Sequence, residues 1–155
     1  PSAAFSAPCG ALPGQKYHTL ELNAGLSYKA LNYKLSRAGS DYFGANRNTG
    51  YDGSTRGTLY HDLSLAIPLQ DAWQVQLHAG HTSVRANYGG INPSYSDWRI
   101  ALAKSWDAGW SGSIAAVGAN KDRMYRPATG GLSATDGKTR ALNRTSLVLQ
   151  IGKSF

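Results

Sequence analysis

The sequence predicts an all-β protein, an antiparallel up-and-down transmembrane β-barrel with about seven strands in this chain. Three observations carry the prediction: apolar and polar residues alternate in segment after segment, short and long gaps between segments take turns, and aromatic residues gather at segment ends.

The strands follow in order. Leu20, Leu22, Ala24, Leu26 and Tyr28 alternate with Thr19, Glu21, Asn23 and Ser27, and Leu31, Tyr33 and Leu35 alternate with Asn32, Lys34 and Ser36. Each is a half-buried strand by its period of two. Leu59, Leu63, Leu65 and Ile67 then alternate with Tyr60, Asp62 and Ser64, while Trp73, Val75, Leu77 and Ala79 alternate with Gln74, Gln76 and His78. Trp98, Ile100, Leu102 and Trp106 alternate with Asp97, Arg99 and Ser105. The segment 110–119 continues in small residues around Ile114, with Val117 on the wrong parity and Gly112 and Gly118 lowering strand propensity. The last strand sets Leu147, Leu149 and Ile151 against Ser146, Gln150 and Ser154, and ends on Phe155.

The gaps are short at 29–30, 70–72 and 107–109 and long at 38–57, 85–94 and 120–143. Transmembrane barrels have this asymmetry, with tight periplasmic turns and longer outer loops. Trp73, Trp106, Trp110 and Phe155 flank the short turns or the C-terminus, whereas Tyr17, Tyr60, Tyr95 and Trp98 flank the long loops. The pattern predicts two girdles of interface aromatics. The opposite set, Glu21, Asn23, Asn32, Lys34, Gln74, Gln76, His78, Arg99 and Gln150, is the candidate pore lining. Lys34 and Arg99 give it a mild preference for anionic solutes, or the interior is plugged by side chains and water.

Composition narrows the function classes. The 155 residues are 41% hydrophobic with a mean hydropathy of -0.37, which argues against both a disordered tail and a helical membrane protein. No stretch reaches the ~18 apolar residues of a membrane helix. The net charge of +7 is spread along the chain without a basic cluster, so no nucleic-acid partner is expected. Cys9 is the only cysteine, which rules out an internal disulfide and argues against a Cys-based metal site.

Candidate chemistry is sparse. His78 and His81 lie three apart on one strand and face opposite ways, so no shared metal ion is expected. His18 and His61 read as rim residues, and Glu21 with Asp97 is the closest acidic pair that a lumen offers. There is no nucleophile elbow and no phosphate loop. No catalytic residue and no cofactor are predicted.

The chain opens on Pro1, without a start Met or a leader pattern, and an odd strand count with an outside start predicts the C-terminal portion of a larger barrel. Residues 1–155 are read as one barrel domain, with 1–16 as a loop or linker.

From about Tyr17 to Phe155 the order of motifs resembles the TorF-type porin family, first described as conserved proteins of unknown function. The likeness rests on Leu26-Ser27-Tyr28-Lys29, Asp41-Tyr42-Phe43-Gly44, Tyr95-Ser96-Asp97-Trp98-Arg99 and the closing run from Leu147 to Phe155. Members are similar in carrying an upstream block of strands with an Arg-rich hairpin, which this chain lacks. The resemblance implies an outer-membrane pore with no established substrate, and a terminal strand like those read by the barrel assembly machinery. The expectation is a porin-like barrel in the bacterial outer membrane, surrounded by lipid and lipopolysaccharide, for passive diffusion of small solutes. A soluble ligand- or carbohydrate-binding β-sandwich without catalysis is the rival reading, and an outer-membrane enzyme is the third.

Overall fold

The computed structural model describes residues 18–120 and 144–154. Tyr17, Phe155, Cys9, the segment 1–16 and most of the third long gap lie outside them. Alternation produces the predicted strands, β1 (Glu21–Tyr28), β2 (Leu31–Ala38), β3 (Leu59–Pro68), β4 (Trp73–Ser83), β5 (Tyr95–Ser105), β6 (Trp110–Ala119) and β7 (Ser146–Lys153). They form one antiparallel sheet in sequence order. The sheet is open: among the described residues β1 pairs only with β2 and β7 only with β6, and the seven strands do not close into a barrel.

Tight turns set the register. Asp71 and Ala72 both take left-handed backbone angles (φ 55° and 58°), and Trp73 N–H donates to the Gln70 carbonyl at 3.2 Å. That pair of positive φ values is the type I′ pattern whose twist matches a hairpin. Ala108 and Gly109 repeat it at the β5–β6 turn (φ 59° and 76°).

β6 forms over Trp110–Ala119 in spite of its glycines. A Cβ on Gly118 would lie 2.8 Å from the Trp98 ring, and one on Gly112 would lie 3.0 Å from the Trp106 ring. The glycines are therefore ledges on which neighbouring indoles rest. Val117 faces Arg99 and Ser146 on the polar side, which accounts for its parity.

Register sorts the side chains onto two faces. One carries Leu22, Leu26, Tyr33, Leu63, Leu77, Trp98, Ile100, Leu102, Ile114, Leu147, Leu149 and Ile151. Most of these large side chains are uncovered, from Trp98 at 37% exposure to Ile151 at 75%. Buried apolar residues are small and few, Ala38, Val84, Ala86, Ala101 and Ala115. The sheet is a single layer whose bulky face has no partner among the described residues.

The long loops 39–58 and 84–94 pack on each other. Asn87 donates through its backbone N–H to Asp52 Oδ1 and through Nδ2 to Asp52 Oδ2, each at 2.8 Å, and the Tyr51 and Tyr88 rings meet at 5.2 Å. Within the first loop, Thr55 Oγ1 accepts from Tyr42 N–H at 2.8 Å and donates to the Ala45 carbonyl. Asp41 accepts from the Ser54 hydroxyl and from Asn46 Nδ2. Tyr42 is raised by burial first, then by the nearness of Tyr95 and Glu21.

The Ser54 hydrogen bond is the largest influence on Asp41 and, against the cost of burial, holds its carboxyl below the usual carboxylate value. A lowered folded-state value means the contribution is present above the ordinary carboxylate range and lost as pH falls through the lowered one. Hydrogen exchange of the 41–58 amides, corrected for intrinsic rates, should accelerate across that acid window. In Asp41→Asn those amides should already be fast at neutral pH; wild-type protection there would contradict the assignment.

Candidate functional site on the polar face

The nine residues predicted to line a pore, Glu21, Asn23, Asn32, Lys34, Gln74, Gln76, His78, Arg99 and Gln150, share one face of the sheet by register. Their side chains form ladders. Ser36 donates to Asn23 and Ser27 to Asn32, each at 2.5 Å, and Arg99 Nη1 donates to Gln76 Oε1 at 2.9 Å, with Gln76 Nε2 donating on to Gln74 Oε1 at 2.7 Å. Gln74, Gln76, Arg99, Ser113 and Gln150 line a depression of about 230 Å³ toward the short-turn end.

A tighter cluster lies beside them. Tyr60, Asp62 and Ser64 stand at spacing two on β3, His78 lies across from Ser64 on β4, and Asp97 on β5 lies across from Gly80. Directly opposite and diagonal neighbours on one face are within side-chain reach, so His78 meets both acids. Its Nε2 is 2.9 Å from Asp97 Oδ1 and its Nδ1 is 3.2 Å from Asp62 Oδ1. The Tyr60 hydroxyl is 3.3 Å from His78 Nε2 and 3.5 Å from each Asp97 oxygen, while Ser64 donates to Asp62 Oδ1 at 2.8 Å. Gly80 makes room, since a Cβ there would collide with the Tyr60 hydroxyl and the Asp97 carboxylate.

Chemically this is a carboxylate–imidazole–carboxylate bridge spanning three strands. Ser64 Oγ lies 3.5 Å from His78 Nδ1, which puts Ser64, His78 and Asp97 in series. Yet the hydroxyl is committed to Asp62, and the backbone N–H groups of central strands are spent on the sheet ladder rather than on an oxyanion. The nitrogens of His78 point to opposite carboxylates, and among the described residues no three His, Cys, Asp or Glu side chains are placed to hold a metal ion. The arrangement binds strand to strand and presents half-exposed charge to solvent, with Lys34 opposite Asp62 and Arg99 opposite His78.

Register distributes the residues singled out from sequence over the two faces. Tyr60 and Tyr95 were predicted as interface aromatics, but register puts them on the polar face, where the Tyr60 hydroxyl joins the His78 bridge. Trp73, Trp98, Trp106 and Trp110 occupy the apolar face. Asp62 and Asp97, joined through His78, are the acidic pair that the sheet brings together, and Glu21 sits strands away beside Ala38. His81 lies on the opposite face from His78, paired across the strands with His61, as its spacing requires.

Fold and face together define a class: a single-layer antiparallel β-sheet protein with one polar face and one bulky apolar face. The family described as bacterial protein of unknown function (Gcw_chp) matches residues 5–155, and the chain belongs to it. Comparison with curated proteins and with solved structures gave no match.

The bridge generates a prediction. In most strands Gly→Ala is neutral or favourable, but Gly80→Ala should cost about 1–3 kcal/mol because it overpacks the cluster. Tyr60→Phe, which removes one colliding oxygen, should recover part of that cost in a double-mutant cycle read by equilibrium unfolding. Strict additivity would separate Gly80 from the cluster.

Proposed function

We propose that this protein is a porin-like outer-membrane barrel for the passive diffusion of small solutes, with no catalytic residues and no cofactor. The observation that carries the reading is the uncovered apolar face. A large apolar side chain gains about 1.5–3 kcal/mol from leaving water. A whole face of them in water would forfeit more than the ~5–15 kcal/mol that holds a domain together. Lipid is the solvent that removes this cost. The rival soluble sandwich needs a second layer over the same side chains, and the described residues supply none.

The ends of the face support the same reading. At the short turns, Lys104 Nζ lies 4.8 Å from the Trp73 ring centroid, Lys153 5.2 Å from that of Trp110 and Lys29 5.4 Å from that of Tyr28. Amphipathic rings with lysine ammoniums over them suit a headgroup layer. Trp98 and Trp106 stand eight residues apart on β5 and its turn, roughly 27 Å of strand. Allowing for tilt, that length is comparable with the ~25 Å apolar band of outer-membrane barrels.

In this reading the polar face lines a hydrated lumen, the 39–58 loop narrows its outer mouth, and lipid, lipopolysaccharide and the barrel assembly machinery are the partners. Open edges in hydrocarbon are untenable, so β1 and β7 are paired in the membrane.

Two substitutions separate the faces. Ile100→Arg should destabilise the protein in bilayers by about 2–4 kcal/mol, whereas Gln74→Arg on the polar face should cost little and change conductance. Planar-bilayer recordings and urea unfolding in vesicles are the readouts. A protein that remains monodisperse in plain buffer and tolerates Ile100→Arg would overturn the reading.

A further inference from the structure

We infer that Arg37 and Arg85 form a site for the phosphate of a phosphorylated glycolipid packed against the long-loop end of the apolar face. The inference rests on the membrane reading above and adds a specific lipid contact to it.

Register places Arg37 on the apolar face, opposite Leu22 on one side and Leu59 on the other. Arg85 lies two residues beyond Ser83, which pairs with Leu59, and is exposed between buried Val84 and Ala86. The two guanidiniums converge: a Cβ on Gly57 would lie 3.1 Å from Arg85 Nη1 and 3.8 Å from Arg37 Nη2. Gly57 is held there with φ +84° by its N–H, which donates to the Ala38 carbonyl at 2.8 Å.

Two cations brought this close repel each other, and an anion between them would relieve that repulsion. Among the described residues no carboxylate pairs with either guanidinium, and both ion pairs that are present belong to His78. The acids of the adjoining loops are engaged elsewhere, Asp41 with Ser54 and Asn46 and Asp52 with Asn87. One row closer to the apolar band lie His61 and His81, which add no negative charge. A tetrahedral phosphate matches the donor fork of guanidinium, and Arg is preferred over Lys wherever that geometry matters.

Position selects the source of the phosphate. The pair stands beside Leu22 and Leu59, two rows beyond the row holding Tyr33, Leu63 and Trp98, where a lipid with its chains on that face would set its headgroup. The opposite rim differs in kind, with its lysines lying over aromatic rings. Cationic pockets beside apolar spans are the general form of headgroup recognition.

The test uses the full chain and its Arg37→Gln/Arg85→Gln double variant. Flotation with phosphatidylcholine vesicles comes first, and both proteins should float. Binding is then measured in neutral detergent micelles by native mass spectrometry with bisphosphorylated lipid A, dephosphorylated lipid A and inorganic phosphate as probes. Wild type should retain bisphosphorylated lipid A, and the double variant should bind it roughly tenfold or more weakly, the loss expected when charge-assisted hydrogen bonds are removed. Inorganic phosphate should not displace it. Equal binding by the variant, equal binding of dephosphorylated lipid A, or displacement by inorganic phosphate would each overturn the site while leaving the membrane reading intact. Failure of wild type to float would remove both.

Discussion

The structure depends on where its large apolar side chains can go. In a soluble domain, alternation buries one face against a second layer, and burial of Leu, Ile and Trp offsets the entropy of ordering the chain. Here the described residues build one layer, and its interior-like positions are occupied by alanine, serine and threonine. Every other feature follows from that inversion: small residues where a core would be, indoles resting on glycine ledges, and charge networks on the face that a soluble sheet would leave to water.

The polar face is organised by register. Once the β3–β4 turn sets Ser64 opposite His78 and the next pairing sets Gly80 opposite Asp97, the imidazole has two carboxylates within reach. A polar group there is stabilised by its partners, and Lys34 and Arg99 in neighbouring rows keep the charge mixed rather than of one sign. A solute moving along this wall would meet alternating charge and amide groups, a surface suited to hydration more than to selective capture. The 39–58 loop is stitched by Thr55, Asp41 and Asn46 at the long-loop end.

Much of this was legible in the sequence, because a period of two needs no tertiary context to be read. Strand identity, order and the two-sided sorting of the nine polar residues all followed from alternation and from tight turns at 29–30, 70–72 and 107–109. The His78 bridge did not. It depends on the diagonal relation between β4 and β5, whose connection is a long loop that carries no register signal, although the spacing of Tyr60, Asp62 and Ser64 beside His78 was a visible clue. Tyr60 and Tyr95 were assigned to the rim by proximity to loops, when their parity already placed them with Asp62 and Asp97. The convergence of Arg37 and Arg85 on Gly57 was likewise invisible, being made by two loops folding back on each other.

The central claim is that hydrocarbon covers the apolar face while water wets the other. Single-cysteine scanning of β5 in a Cys9→Ser background, with the protein in lipid vesicles and a membrane-impermeant thiol reagent, tests it most directly. Cysteines at Asp97, Arg99 and Ala103 should label and those at Trp98, Ile100 and Leu102 should resist, a strict period of two. Uniform labelling of all six positions would contradict the account.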